Sequence, residues 1–175
     1  MNRPNQINSL APLMNITGSF LSKNTLYAVA LYGLILNTMW EFAHAGPLYD
    51  MWKEVSTTAG IIHITLAIAG DVVLMVGIAT IAVWVCGVND VLSLGWKASI
   101  CLLSTGFIFG LFLEWTAKAL DFWTYNDLMP GLSLFGESVG LSPLLQITLL
   151  PFLSLFMALK FNIIPNPESH TEKDP

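Results

Sequence analysis

The sequence predicts an all-α integral membrane protein: an antiparallel bundle of four transmembrane helices with a long outer loop between helices 3 and 4. Three observations predict it. Of 175 residues, 54% are hydrophobic and 11% charged, and mean hydropathy is +0.65; a soluble domain carries about 25% charged residues. Four stretches approach the roughly 20 apolar residues that a helix needs to cross a hydrocarbon core of about 30 Å. The seven basic residues lie singly, so the net charge of −5 comes with no basic stripe, and nucleic acid is excluded as a partner.

The first span is read at about 26–45, free of charge until Glu41. The second, about 59–88, is interrupted only by Asp71; longer than the core is thick, it should tilt, kink near Gly70 or protrude. The third, about 98–119, must carry Glu114, because the uncharged run ending at Leu113 is too short alone. The fourth, about 142–164, holds Pro151, which predicts a kink. Backbone groups in lipid must bond internally, so the spans are helices. They form one domain, 1–164, followed by a polar, proline-punctuated tail at 165–175 that is expected to be disordered. No internal repeat or low-complexity tract is evident.

Ala43-His44-Ala45 has the small-x-small form of a signal-peptidase site, but the apolar stretch before it is longer than the usual h-region, so the first helix is read as retained. With four spans, Arg3, Lys23, Lys97, Lys160 and Lys173 share one side, and Lys53 and Lys118 the other. The positive-inside rule then places both termini in the cytoplasm of a cell with the chain in its inner membrane. Cys86 and Cys101 fall at that cytoplasmic end, where a disulfide is not expected. Gly106 and Gly110 form a small-xxx-small pair that reads as close helix packing.

Ionisable residues inside membrane helices are costly enough to mark functional sites. Glu41 and His44 on the first span, His63 and Asp71 on the second, and Glu114 on the third are such residues. Antiparallel threading puts Glu41, His44, His63 and Glu114 at one depth near the outer boundary, with Gln146 joining them from the fourth span. Asn37, Glu41 and His44 share a helix face, as do Glu114, Lys118 and Asp121. In the plainest reading Glu114 and Lys118 are a surface ion pair. Asp71, two turns deeper than His63, has only apolar neighbours along the chain. Trp40, Tyr49, Trp52, Trp115, Trp123 and Tyr125 cluster on the outer side, as an interfacial belt or, for Trp40 and Trp115, as pocket walls. The outer connection 121–141 is long enough to fold over the site as a lid. Trp40-Glu41-x-x-His44, Gly70-Asp71 and Gly140-Leu141-Ser142-Pro143-Leu144-Leu145-Gln146 look like signatures.

Three functional readings follow. The first is a metal-dependent or acid–base enzyme acting on a lipophilic small molecule drawn from the lipid bilayer. Its candidate catalytic residues are Glu41, Asp71 and Glu114, and its candidate ligands for Zn, Fe or Mn are His44, His63, Glu41 and Glu114. The second is electron transfer by haem b held between His44 and His63. The third is a small proton-coupled transporter or membrane-complex subunit using Asp71 as a relay. Substrate and oligomeric state stay open at this level, and desaturase helix boxes, a Gly-x-Ser-x-Gly elbow and a phosphate-binding glycine loop are missing.

Overall fold

A computed structural model describes residues 20–50, 56–134 and 136–161. The expected tail at 165–175, the end of the fourth span beyond 161, and Trp52, Lys53 and Glu54 lie outside the described residues. The chain is mostly helical. Four helices are long and apolar enough to cross a membrane: α1 (Lys23–Leu48), α2 (Thr57–Cys86), α4 (Trp96–Ala119) and α5 (Leu141–Phe161). A short α3 (Val88–Leu92) lies between α2 and α4, and a hairpin of β1 (Gly131–Leu134) and β2 (Glu137–Gly140) precedes α5.

The helix ends follow from local chemistry. Ser22 Oγ accepts the Thr25 N–H and Ser56 Oγ accepts the Ala59 N–H, so hydroxyl caps start α1 and α2. Pro47 stands in the last turn of α1, which stops one residue later, three beyond the end of the expected span. Gly87 closes α2, its N–H bonded to the Val83 carbonyl. Asp90 accepts the Ala98 N–H at 2.7 Å and so caps α4. The 30 residues of α2 form one helix through Gly70, and at about 1.5 Å per residue it is longer than a bilayer core is thick. Likewise α5 stays one helix through Pro151.

Neighbouring long helices run antiparallel. Ala28, Val29 and Tyr32 of α1 cluster with Ile78, Ala79 and Ala82 of α2, whereas Ala45 near the other end of α1 clusters with Ile64 and Ile68. α1 packs on α2 and α5, and α4 packs on α5 and α2, which closes a four-helix bundle. Gly106 sets the α4–α5 distance: a Cβ there would fall against the Ile147 carbonyl oxygen and lie 3.0 Å from Thr148 Cα. The small-xxx-small pair is thus a packing device, as its spacing suggests.

The surface differs from a soluble domain's in being apolar, and the mostly apolar interior holds a polar cluster. Phe42, Leu66, Val73, Trp84 and Ile108 face outward, Trp84 at 86% exposure, whereas Asn37, Glu41, His44, Glu114, Gln146 and Ser154 are buried.

Candidate active site

The site lies where α1 and α4 end and α2 and α5 begin. Its hub is Gln146, in the second turn of α5. The Gln146 side-chain nitrogen sits 3.0 Å from Asn37 Oδ1, 2.9 Å from Glu41 Oε1 and 2.8 Å from Asp71 Oδ2, tying α5 to α1 and α2. Asn37 in turn donates to the Gly33 carbonyl and the Met75 sulfur. Asp71 therefore reaches Glu41's own partner, although chain position alone put it about two turns deeper than His63. Its second oxygen, Oδ1, takes no hydrogen bond from a described residue.

Behind Glu41 stands His44. Its Nε2 lies 3.2 Å from Glu41 Oε2 and its Nδ1 lies 2.8 Å from Ser142 Oγ. A neutral imidazole satisfies both bonds: Ser142 donates to Nδ1, and Nε2–H donates to the carboxyl. Trp40 meets the ring edge-on and Tyr49 tilts against it, with centroids 6.4 and 5.3 Å away.

The connection after α4 covers the site as a lid. Tyr125 OH donates to Glu114 Oε1 and accepts the Trp123 indole N–H at 2.7 Å, while the Gly140 N–H donates to Glu114 Oε2 at 2.8 Å. A Cβ at residue 140 would come within 2.8 Å of the Tyr125 ring, so only glycine lets this backbone amide reach the carboxyl. Asn126 ties the lid to α1 through its side chain to the Pro47 carbonyl at 2.7 Å and its N–H to the Leu48 carbonyl at 3.1 Å. Lys118, expected beside Glu114, instead pairs with Glu137 on β2, and this charge holds the Glu137 carboxyl below its usual range. Burial pushes the Tyr49 and Tyr125 phenols well above the ordinary tyrosine value. The charges of Glu41 and Glu114 add to this for Tyr49, and Tyr49 and Glu114 add to it for Tyr125.

Beneath the lid is a cavity of about 430 Å³. Glu41, Asp71, Glu114, Gln146, Tyr49 and Trp123 form its polar end, and Leu66, Val73, Leu74, Leu113 and Ile147 are among its apolar walls. Val29, Met75, Ile78, Ala79 and Leu102 are fully buried and do not line it. Ser154 is buried too, its hydroxyl donating to the Pro151 carbonyl.

No protein-family model, curated protein or solved structure matches this chain. The chemistry of the site must therefore be read from its own residues.

The structure brings Glu41, Asp71, Glu114 and His44 to one level, but not as a metal centre. Among the described residues, no three of His, Cys, Asp and Glu are grouped to hold a metal ion. The expected ligand set of His44, His63, Glu41 and Glu114 for Zn, Fe or Mn is not assembled. Both oxygens of Glu114 are held by the lid, both nitrogens of His44 are bonded, and His63 is an exposed part of the cavity wall. For the same reason His44 presents no free nitrogen to a haem b iron. Trp40 and Trp115 do not wall the cavity; Trp123 and Tyr49 do. Sequence reasoning placed Tyr125 only in the outer aromatic cluster and gave the Gly140 amide no role, yet the 140–146 segment that looks like a signature supplies three contacts: the Gly140 N–H, Ser142 and Gln146.

Proposed function

We propose that the protein is a multi-pass inner-membrane enzyme, with both termini cytoplasmic, that performs acid–base chemistry on a lipophilic small molecule. The observation that carries this reading is the placing of two carboxyls, Glu41 and Asp71, on one amide nitrogen at the polar end of a largely apolar cavity. Three acceptors meet a nitrogen with two hydrogens, so the two carboxyls compete for one donor. Two carboxyls side by side can serve as acid and base, one giving a proton at one atom of a substrate and the other taking one at another. On an unsaturated lipophile, adding a proton to one carbon of a double bond and removing one from the allylic carbon beyond the other shifts that double bond by one position. Atoms and electrons balance with no oxidant.

The roles divide by geometry. Asp71, with one oxygen that takes no hydrogen bond among the described residues, meets the substrate; Glu41 is the second proton site. His44 and Ser142 orient Glu41 from behind, since His44 does not line the cavity. Glu114, with both oxygens engaged, positions the lid. The outward apolar residues support a bilayer around the bundle, and the distribution of lysines and Arg3 supports cytoplasmic termini. The largely apolar lining favours chemistry on a lipophile over proton-coupled transport.

The test is solvent-proton exchange. Purified protein in vesicles made from the lipids of its host is incubated in D2O, and the lipid extract is analysed by mass spectrometry. Wild type introduces deuterium into a lipophile; Asp71→Asn and Glu41→Gln do not. Absence of deuterium incorporation by folded wild-type protein would overturn the reading.

A further inference from the structure

Leu66, Gly70 and Val73 lie on one face of α2 at i, i+4 and i+7, and all three line the cavity while being exposed at the protein surface. Val73 is 73% exposed and Leu66 68%. Across the gap stand Leu113 and Gly110 of α4. The cavity therefore opens sideways between α2 and α4, through a rim of apolar side chains and a bare glycine, instead of upward through the lid. In a bilayer that opening faces acyl chains.

The polar end narrows what enters. Among the described lining residues there are three carboxyls, the exposed His63 and no lysine or arginine, so a carboxylate or phosphate head meets no fixed positive charge. Glu114 already accepts from Tyr125 and Gly140, and Glu41 from His44 and Gln146. Asp71 Oδ1 is left as the open carboxyl oxygen. One open oxygen suits a single hydroxyl; an ammonium brings three donors. A volume of about 430 Å³ is within the range of small-molecule sites.

We infer that the gap between α2 and α4 at Gly70 is a lateral portal through which an uncharged, single-hydroxyl lipophile passes from the bilayer to Asp71. The inference rests on the acid–base reading for the identity of Asp71's partner, and the two fail separately.

Gly70 supplies the test, because a Cβ there has no atom within 4 Å, and so does Gly77, seven residues along the same helix and outside the cavity. Gly70→Trp blocks the portal; Gly77→Trp adds the same bulk elsewhere. The probe is a diazirine-bearing hexadecanol, photolysed with the protein in nanodiscs and competed with excess plain hexadecanol. Saturable labelling on peptides carrying Leu66, Val73 or Leu113 is expected, lowered about tenfold or more by Gly70→Trp and unchanged by Gly77→Trp. The carboxylic-acid and amine analogues of the probe should label more weakly than the alcohol. Labelling that survives Gly70→Trp, or falls equally in both variants, overturns the portal; an acid or amine probe that labels as strongly as the alcohol overturns the ligand class. Portal labelling without deuterium exchange would remove the enzyme reading and leave the binding site. Undiminished exchange by Gly70→Trp would do the reverse.

Discussion

Gln146 and Asp71, 75 positions apart in sequence, are joined by a 2.8 Å hydrogen bond from the α5 side chain to the α2 carboxyl. The same nitrogen holds Glu41 and Asn37, so one side chain fixes the relative rotation of three helices.

Gln146→Leu keeps the volume roughly constant and removes the shared donor. Asn37, Glu41 and Asp71 then lose a partner together inside the bundle. An interhelical hydrogen bond in a membrane averages about 0.6 kcal/mol, and an unsatisfied buried group costs about 1–3 kcal/mol. A loss of about 2 kcal/mol or more in reversible unfolding in mixed micelles is expected. Adding Asp71→Asn to Gln146→Leu should cost less than the two single losses combined, since both changes break one contact. Strict additivity would show that the Gln146–Asp71 bond carries no coupling.

The lid has a strong anchor and a weak one. Glu114→Ala leaves the Tyr125 hydroxyl and the Gly140 N–H without their acceptor, at about 1–3 kcal/mol each at most. Lys118→Ala breaks a pair whose two side chains are more than half exposed and screened by water, so it should contribute little. Limited proteolysis in nanodiscs checks the order: cleavage between residues 121 and 140 should speed up markedly in Glu114→Ala and barely in Lys118→Ala. Equal acceleration would mean that the surface pair holds the lid.

Alkali should loosen the same lid. Burial raises the Tyr49 and Tyr125 phenols in the folded protein above the unfolded value of about 10. Above that pH the unfolded chain releases protons that the folded chain keeps, so stability falls as pH rises; below it the stabilisation is fully present. Unfolding measured from pH 8 upward should show this loss setting in near pH 10, and Tyr125→Phe should make it shallower. An unchanged slope in the variant would place the alkaline sensitivity elsewhere.

Much of this was legible in the sequence because a span is a property of composition and length. The first helix was expected from Leu26 and begins at Lys23; the third was expected from Ala98 and begins at Trp96. The common level of Glu41, His44, Glu114 and Gln146 was equally accessible, being fixed by threading. Helix rotation was not. His63 and Asp71 differ by about 80° on a helical wheel, and only packing against α1 and α5 decides that Asp71 meets Gln146 while His63 faces out. The lid was accessible as a length of chain and not as chemistry. Its key donor is a backbone amide at Gly140, which no residue-type pattern marks, and Lys118 is drawn to Glu137 by a hairpin that four spans do not imply.

Two glycines should respond oppositely to alanine. Gly70 has open space around a Cβ and an ordinary helical backbone, so Gly70→Ala recovers the entropy that glycine loses on folding and stabilises by up to about 1 kcal/mol. At Gly106 the new Cβ would run into the Ile147 carbonyl and Thr148 Cα, backbone atoms that no rotamer change can move. That overpacking costs about 1–3 kcal/mol. The Ile147 carbonyl is available to press on α4 because Pro151, four residues on, has no N–H to engage it. Pro151→Ala restores this donor and draws the carbonyl back toward its own helix, so it should relieve part of the Gly106→Ala loss. Unfolding of the two single variants and the double variant checks this, and a double variant no better than the sum of its parts would show that Pro151 does not set the α4–α5 contact.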